Sequence, residues 1–238
     1  MTNGTTLFSA YRPDTDVAHR RRWRRQWGML LAAFDREIMP LRCAFCGTRT
    51  RSGERHICAG CDADLPRIAS PPPAATSPCA WEVAPLAYEF PVDAAIKAFK
   101  FRRKLFYAPA LAQLLLAACE SLPPDVDAVL PVPLHWRRRW FRGFNQAEEL
   151  ARPVAQHLAA PLLTNVARRR PTRSQSGLNA TKRARNLRSA FSVGGKLTSE
   201  HVLIVDDVIT TGATIHEIAR AIRHAGATRV SALAVARA

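Results

Sequence analysis

A chain of 238 residues has room for one sizeable core and a small appendage, and 47% hydrophobic against 23% charged residues excludes a disordered chain. Lys and Arg number 35 against 19 Asp and Glu, a formal charge of 35 − 19 = +16, which points towards polyanionic or phosphorylated partners. The longest apolar stretch, Leu111 to Cys119, contains Gln113 and is far below the ~20 residues that cross a bilayer.

Residues 1–34 read as a basic N-terminal tail and helix. The first nineteen or so have no periodicity and suggest a mobile tail. Arg20, Arg21, Arg22, Arg24 and Arg25 then interleave with Trp23 and Trp27. This cluster reads either as an anchor for nucleic acid or anionic lipid, or as the solvated face of a short helix running to Met39. Arginines ahead of the apolar run Trp27–Phe34 mimic a signal peptide, but Asp35-Arg36-Glu37 ends the run and no small-residue cleavage site follows. The expectation is a cytoplasmic protein, with work at the inner face of the membrane left open.

Residues 35–65 carry two C-x2-C knuckles, Cys43 with Cys46 and Cys58 with Cys61. Each knuckle points two sulfurs at one centre, and the pair completes a tetrahedral thiolate site suited to structural Zn²⁺. Redox thiols and an iron–sulfur cluster are the competing readings. His56 is a spare ligand candidate that four thiolates leave unneeded, and Cys79 and Cys119 read as packing residues. Residues 66–80, with Pro71-Pro72-Pro73, read as an extended linker to a main domain over 81–238.

In that domain, Val83–Tyr88 reads as a strand, and Val92–Phe99 and Ala108–Ser121 as helices. Between the helices, Lys97 to Lys104 alternates cations with aromatics. It could reach over a phosphate or pack against nucleobases, or form a surface hairpin with buried phenylalanines. Asp127–Pro133 is a short apolar strand, and His135–Gln146 follows as an arginine-rich loop. Asn145 is a good N-cap for a helix through Leu158. Leu162–Ala167 reads as a strand, and Arg168–Arg188 as a long polar loop of the kind that forms lids. From Pro133 to Ala190 there are 13 Lys and Arg against 2 acids, too lopsided for an ordinary mixed surface.

The most informative stretch is His201–Thr214. Val202–Val205 is an apolar run that fits a strand buried on both faces, and Asp206 and Asp207 follow at its carboxyl end. Thr210, Thr211, Gly212, Ala213 and Thr214 then lead into a helical pattern that Gly226 ends. The helix N-terminus and the hydroxyls suit a phosphate, and Gly212 permits close approach. The acids suit a vicinal diol, so a ribose 5-phosphate satisfies both halves. Arg229–Val235 reads as the last strand.

This segment resembles the PRPP-binding signature of type I phosphoribosyltransferases. Together with PVPLH (131–135), RGFNQ (142–146), 175–191 and the four cysteines, it resembles the ComF/GntX family, phosphoribosyltransferase-like proteins of which some are associated with competence and DNA uptake. The resemblance covers roughly residues 35–238. It implies an α/β, type I phosphoribosyltransferase fold, a Rossmann-like parallel sheet with helices on both faces, behind a small zinc ribbon. It further implies PRPP with Mg²⁺ as ligand. Asp206 and Asp207 would hold the ribose hydroxyls, and Thr210–Thr214 the 5-phosphate. Arg137, Arg142, Lys182 and Arg183 would face pyrophosphate from the loop and the lid. Purine-salvage enzymes of this fold often carry an acid where this chain has Thr210, so the resemblance argues against purine salvage. A second expectation from the family and the basic excess is single-stranded DNA as partner, beside the membrane's uptake machinery.

Overall fold

The structure, a computed structural model, describes residues 41–50, 55–134, 136–168 and 190–238, with only the backbone of 137–139. Residues Cys43–Ala238 form one compact unit. Its strands are β1 (Trp81–Val83), β2 (Leu86–Ala87), β3 (Ala128–Pro131), β4 (Val166–Arg168), β5 (Phe191–Val193), β6 (His201–Ile209) and β7 (Arg229–Arg237). Its α-helices are α1 (Ala59–Ala63), α2 (Val92–Arg102), α3 (Ala108–Ala118), α4 (Trp136–Arg142), α5 (Gln146–His157) and α6 (Ala213–His224).

The apolar runs Val202–Val205 and Val230–Val235 dictate the centre. Buried on both faces, β6 and β7 pair in parallel along their whole length, from His201 opposite Arg229 to Ile209 opposite Arg237. The sheet order is β1-β7-β6-β3, all parallel, with β2 also on β7. On one face lie Ile96 and Phe99 of α2, Leu111 and Leu115 of α3, and Leu150 and Val154 of α5. On the other lie Ile215, Ile218 and Ile222 of α6. Ridges of apolar residues on helices over both sides of a parallel sheet make the three-layer arrangement that the sequence implied.

Several local expectations are corrected. Trp136–Arg142, read as loop, is helical, since the stretch holds no Pro or Gly until Gly143, which ends it at φ 81°. The strand Val83–Tyr88 is broken into β1 and β2 at Pro85, which has no N–H to give a ladder. Helix α2 runs on to Arg102 and stops at Arg103, φ 52°, so the segment 97–104 is not a hairpin. Leu162 makes only a single bridge to Val129, and the strand there is Val166–Arg168. The carboxyl-terminal strand lies inside the sheet, between β1 and β6. The expected N-terminal helix and most of the lid, residues 169–189 with Lys182 and Arg183, lie outside the described residues.

The Pro-rich stretch runs along the sheet edge. The Ile68 amide donates to the Pro85 carbonyl, and Ser70 Oγ both accepts from the Ala84 amide and donates to the Ala84 carbonyl. The cysteine knuckles also dock on the main body. Cys43, Ile57 and Leu65 join the core of α2, α3 and α5, and the His56 amide donates to Gln113 Oε1 at 3.0 Å.

Because Leu203 is fully buried in the middle of β6, Leu203→Ala should cost about 3 kcal/mol, read as a lower denaturant midpoint with unchanged slope.

Candidate functional site

The site begins where one strand stops short. Pairing of β3 with β6 ends at Pro131 opposite Val205, and the Val132 amide donates the last bond to the Val205 carbonyl at 2.9 Å. Among the described residues β6 keeps β7 alone as sheet neighbour from Asp206 onward, which leaves a notch in the sheet at its carboxyl end. The acids lie within β6, which continues to Ile209, and not past its end. Asp207 is buried, and Lys100 of α2 reaches it, Nζ to Oδ1, at 2.8 Å, with side-chain exposures of 18% and 3%. The second oxygen, Asp207 Oδ2, is buried and has no hydrogen-bond partner among the described residues. Asp206 Oδ1 accepts the Asp207 amide at 2.9 Å. Loss of solvent around Asp206, and then the charge of Asp207, push its carboxyl up to about 8.

Five residues after Asp207 the chain turns at Gly212, φ 71°, and enters α6. Thr210 and Thr211 are exposed, and Thr211 Oγ1 accepts the Ala213 amide at 3.5 Å. A Cβ at position 212 would meet the His216 ring, with Nε2 at 3.0 Å, so glycine is required by space as well as by backbone angle. His216 is itself anchored. Its Nε2 lies 2.7 Å from Glu82 Oε1 and 3.3 Å from Ser77 Oγ. Ser77 Oγ also donates to Glu82 Oε1 at 2.8 Å, and Arg237 donates to Glu82 Oε2 at 3.2 Å. The His216 hydrogen bond foremost, then Ser77 and Arg237 against burial, hold the Glu82 carboxyl down at about 2. The turn that precedes α6 is thus braced from beneath by the edge strand β1.

In the N-terminal knuckles the four cysteine sulfurs of 43, 46, 58 and 61 all lie within 4.8 Å of one another. Hydrogen bonds from the Thr48 hydroxyl and then its amide hold the Cys46 thiol down at about 6, while burial and the neighbouring sulfurs push Cys61 up. Four soft donors converging on one point can bind a metal ion such as zinc.

Of the other predicted residues, Arg142 hydrogen-bonds Gln146 Oε1 at 3.0 Å and lies 4.9 Å over the Phe101 ring. The side chain of Arg137 lies outside the described residues. Asn145 caps α5 as expected, accepting from the Ala147 amide. The brace of Ser77, Glu82, His216 and Arg237 was not foreseen. Its available signal was Glu82, an acid placed in a short apolar strand.

Residues 145–238, which hold α5, β6, the acid pair, α6 and β7, match the family model of the phosphoribosyl transferase domain. The fold and this match thus define a protein of the type I phosphoribosyltransferase class. The chain is 36% identical over 163 residues to Competence protein F of Haemophilus influenzae, covering 63% of this chain and 70% of that one. It is 35% identical over 202 residues to DNA utilization protein YhgH of Escherichia coli K12, covering 79% and 86%. Competence protein ComFC of Bacillus subtilis is 30% identical over 129 residues, 54% of this chain and 52% of that one. The chain belongs to the ComF family. No helix among the described residues is long and apolar enough to cross a membrane.

Two predictions follow from the charges. The folded chain holds the Asp206 proton to about pH 8, whereas an unfolded aspartate releases it near 3.8, so this group lowers stability as pH rises from about 4 through 8. Asp206→Asn should therefore raise the melting temperature more at pH 8 than at pH 5, as read by calorimetry. Glu82→Ala should cost about 3 kcal/mol at pH 7, because His216 and Arg237 lose a buried partner. The Glu82 contribution is present above pH 4.5 and is lost as pH falls through about 2.

Proposed function

We propose that this chain binds PRPP with Mg²⁺ and transfers its ribose 5-phosphate unit to an amine or base. The observation that carries this reading is Asp207 Oδ2, a buried carboxylate oxygen with no hydrogen-bond partner among the described residues, just ahead of a left-handed glycine turn into a helix. A buried acceptor of that kind is costly unless a ligand's donor completes it, and a ribose hydroxyl is such a donor. The first turn of α6 has N–H groups without intrahelical partners, and with the threonine hydroxyls they suit the 5-phosphate. Relatives named Competence protein F and DNA utilization protein YhgH support a competence-associated setting for this reading.

In the proposed reaction the C1–oxygen bond breaks and pyrophosphate leaves with the electron pair. The acceptor's nitrogen lone pair forms the new C1–N bond, and the proton on that nitrogen goes to solvent. Asp206 and Asp207 orient the ribose so that C1 faces the notch, with Asp207 beside the charge developing on the ring. Lys100 holds Asp207 in place from α2. Mg²⁺, when bound with the ligand, would supply positive charge to the leaving group, and the oxygen donors of the acid pair beside the notch suit a hard cation.

The cysteine cluster is proposed to hold one structural Zn²⁺. The sulfurs already converge, and the module shares a core with α2 and α3, so the metal would fasten that side of the unit. Metal analysis should give one zinc per chain, and its removal by chelator should lower the melting temperature. Protein free of metal with an unchanged melting curve would refute the role.

Titration calorimetry with PRPP and Mg²⁺ tests the main reading. Asp207→Asn should weaken binding about 10- to 150-fold, the scale of a hydrogen bond to a charged group. Pyrophosphate release with a panel of amines and bases tests transfer. Absence of heat with intact protein would end the PRPP reading, and heat without turnover would reduce it to binding alone.

A further inference from the structure

We propose that Glu82 and His216 are positioning residues for the phosphate end of the site: one buried carboxylate clamps both flanks of the Gly212 turn and so sets where the first amides of α6 meet a sugar phosphate. The proposal deepens the PRPP reading and rests on it. The turn leaves β6 at Ile209 and enters α6 at Ala213. Glu82 Oε1 holds the helix side of it, 2.7 Å from His216 Nε2. Glu82 Oε2 holds the strand side, accepting from Arg237 Nη2 at 3.2 Å. Arg237 is the register partner of Ile209, and the next amide, that of Ala238, donates to the Ile209 carbonyl at 3.0 Å. A single side chain thus spans the two ends of the turn.

The imidazole also touches the turn itself. The His216 amide closes the first turn of α6 on the Gly212 carbonyl at 2.8 Å, and helical side chains tilt back towards the N-terminus, so the ring comes under residue 212. Its Nε2 and Cε1 would stand 3.0 and 3.1 Å from a Cβ there. An ionised carboxylate only accepts, so Nε2 carries the proton and donates to Glu82. Ser77 Oγ donates to the same Oε1 at 2.8 Å and lies 3.3 Å from Nε2, which confines the ring further. Side-chain exposures of 7% for Glu82 and 24% for His216 leave little water to replace these bonds.

The amides of Ala213, Thr214 and Ile215 come before the first intrahelical bond and are the donors that suit a phosphate. A displaced turn moves all three at once. Apolar side chains at 82 and 216 would serve a contact made for stability alone, since they replace a buried ion pair at little cost. A carboxylate divided between the two flanks of one turn fixes its geometry instead. The clamp also acts on one end of the site. Its members lie in the Pro-rich stretch, β1, α6 and β7, whereas Lys100 and Arg142 lie on α2 and α4. Loss of the clamp therefore loosens the grip on a sugar phosphate and leaves a pyrophosphate group unaffected.

The test is titration calorimetry on the full chain with Mg²⁺ and, in separate runs, ribose 5-phosphate, PRPP and inorganic pyrophosphate. His216→Ala should weaken ribose 5-phosphate and PRPP by about 10-fold and change pyrophosphate by less than about twofold. His216→Gln, whose amide can still donate to Glu82, should recover most of the loss. Ser77→Ala should give a smaller loss of the same pattern. Gly212→Ala should cost less affinity in the His216→Ala background than in the wild type, because the ring that its Cβ would meet is gone. Melting curves without ligand show that each variant is folded. Unchanged ribose 5-phosphate affinity in His216→Ala, an equal loss for pyrophosphate, or no recovery in His216→Gln overturns the proposal and leaves the PRPP reading standing. Intact wild-type protein that binds neither sugar phosphate ends both.

Discussion

The ion pair between Lys100 and Asp207 is the constraint around which the molecule is arranged. Taking both charges out of water costs several kcal/mol each, and their attraction offsets this only when the geometry is close and the remaining hydrogen-bonding capacity is met. Here the geometry is close, but one carboxylate oxygen is left unmatched among the described residues. Much of the architecture maintains that condition. Helix α2 must lie on the sheet so that Lys100 meets β6, and β3 must end at Pro131 so that the acids face a notch. The two long strands must pair to Ile209 to hold the acids rigidly. The neighbouring carboxyl adjusts by keeping its proton, so the pair presents both a donor and acceptors at neutral pH.

A second constraint holds the turn at Gly212. The edge strand sends Glu82 under α6, and Glu82 gathers His216, Ser77 and Arg237 around itself. The segment around β1 and the distant α6 and β7 thereby fix the angle at which the helix leaves the sheet. A network of this kind is worth more as a locator than as stability, because a satisfied buried carboxylate permits few alternative arrangements.

How much of this was legible in the sequence depends on the range of the interaction concerned. Val202–Val205 with Asp206, Asp207 and the threonine–glycine run announced strand, acids, turn and helix in one unbroken stretch. Asn145 likewise announced the start of α5. Each of these signals is local. The Lys100–Asp207 pair joins positions over a hundred residues apart, and nothing near Lys100 distinguishes it from Lys97, whose partner is Asp93 one helical turn away. Glu82 and His216 are also brought together only by the fold. Helix α4 was missed for a different reason. Its run of arginines and tryptophans has no inward apolar face, and periodicity detects a helix only when one side is buried.

The Pro-rich stretch along β1 and β2 has a consequence for how copies of this chain meet. A parallel sheet ends in strands whose outer amides and carbonyls are ready to accept another chain. On this side the Ser70 hydroxyl takes up both the amide and the carbonyl of Ala84, the Ile68 amide takes the Pro85 carbonyl, and prolines beyond them have no N–H to offer. Around Ala84 and Pro85 the chain itself thereby occupies the border, so edge-to-edge pairing with another copy has no foothold at that point while residues 66–70 stay seated.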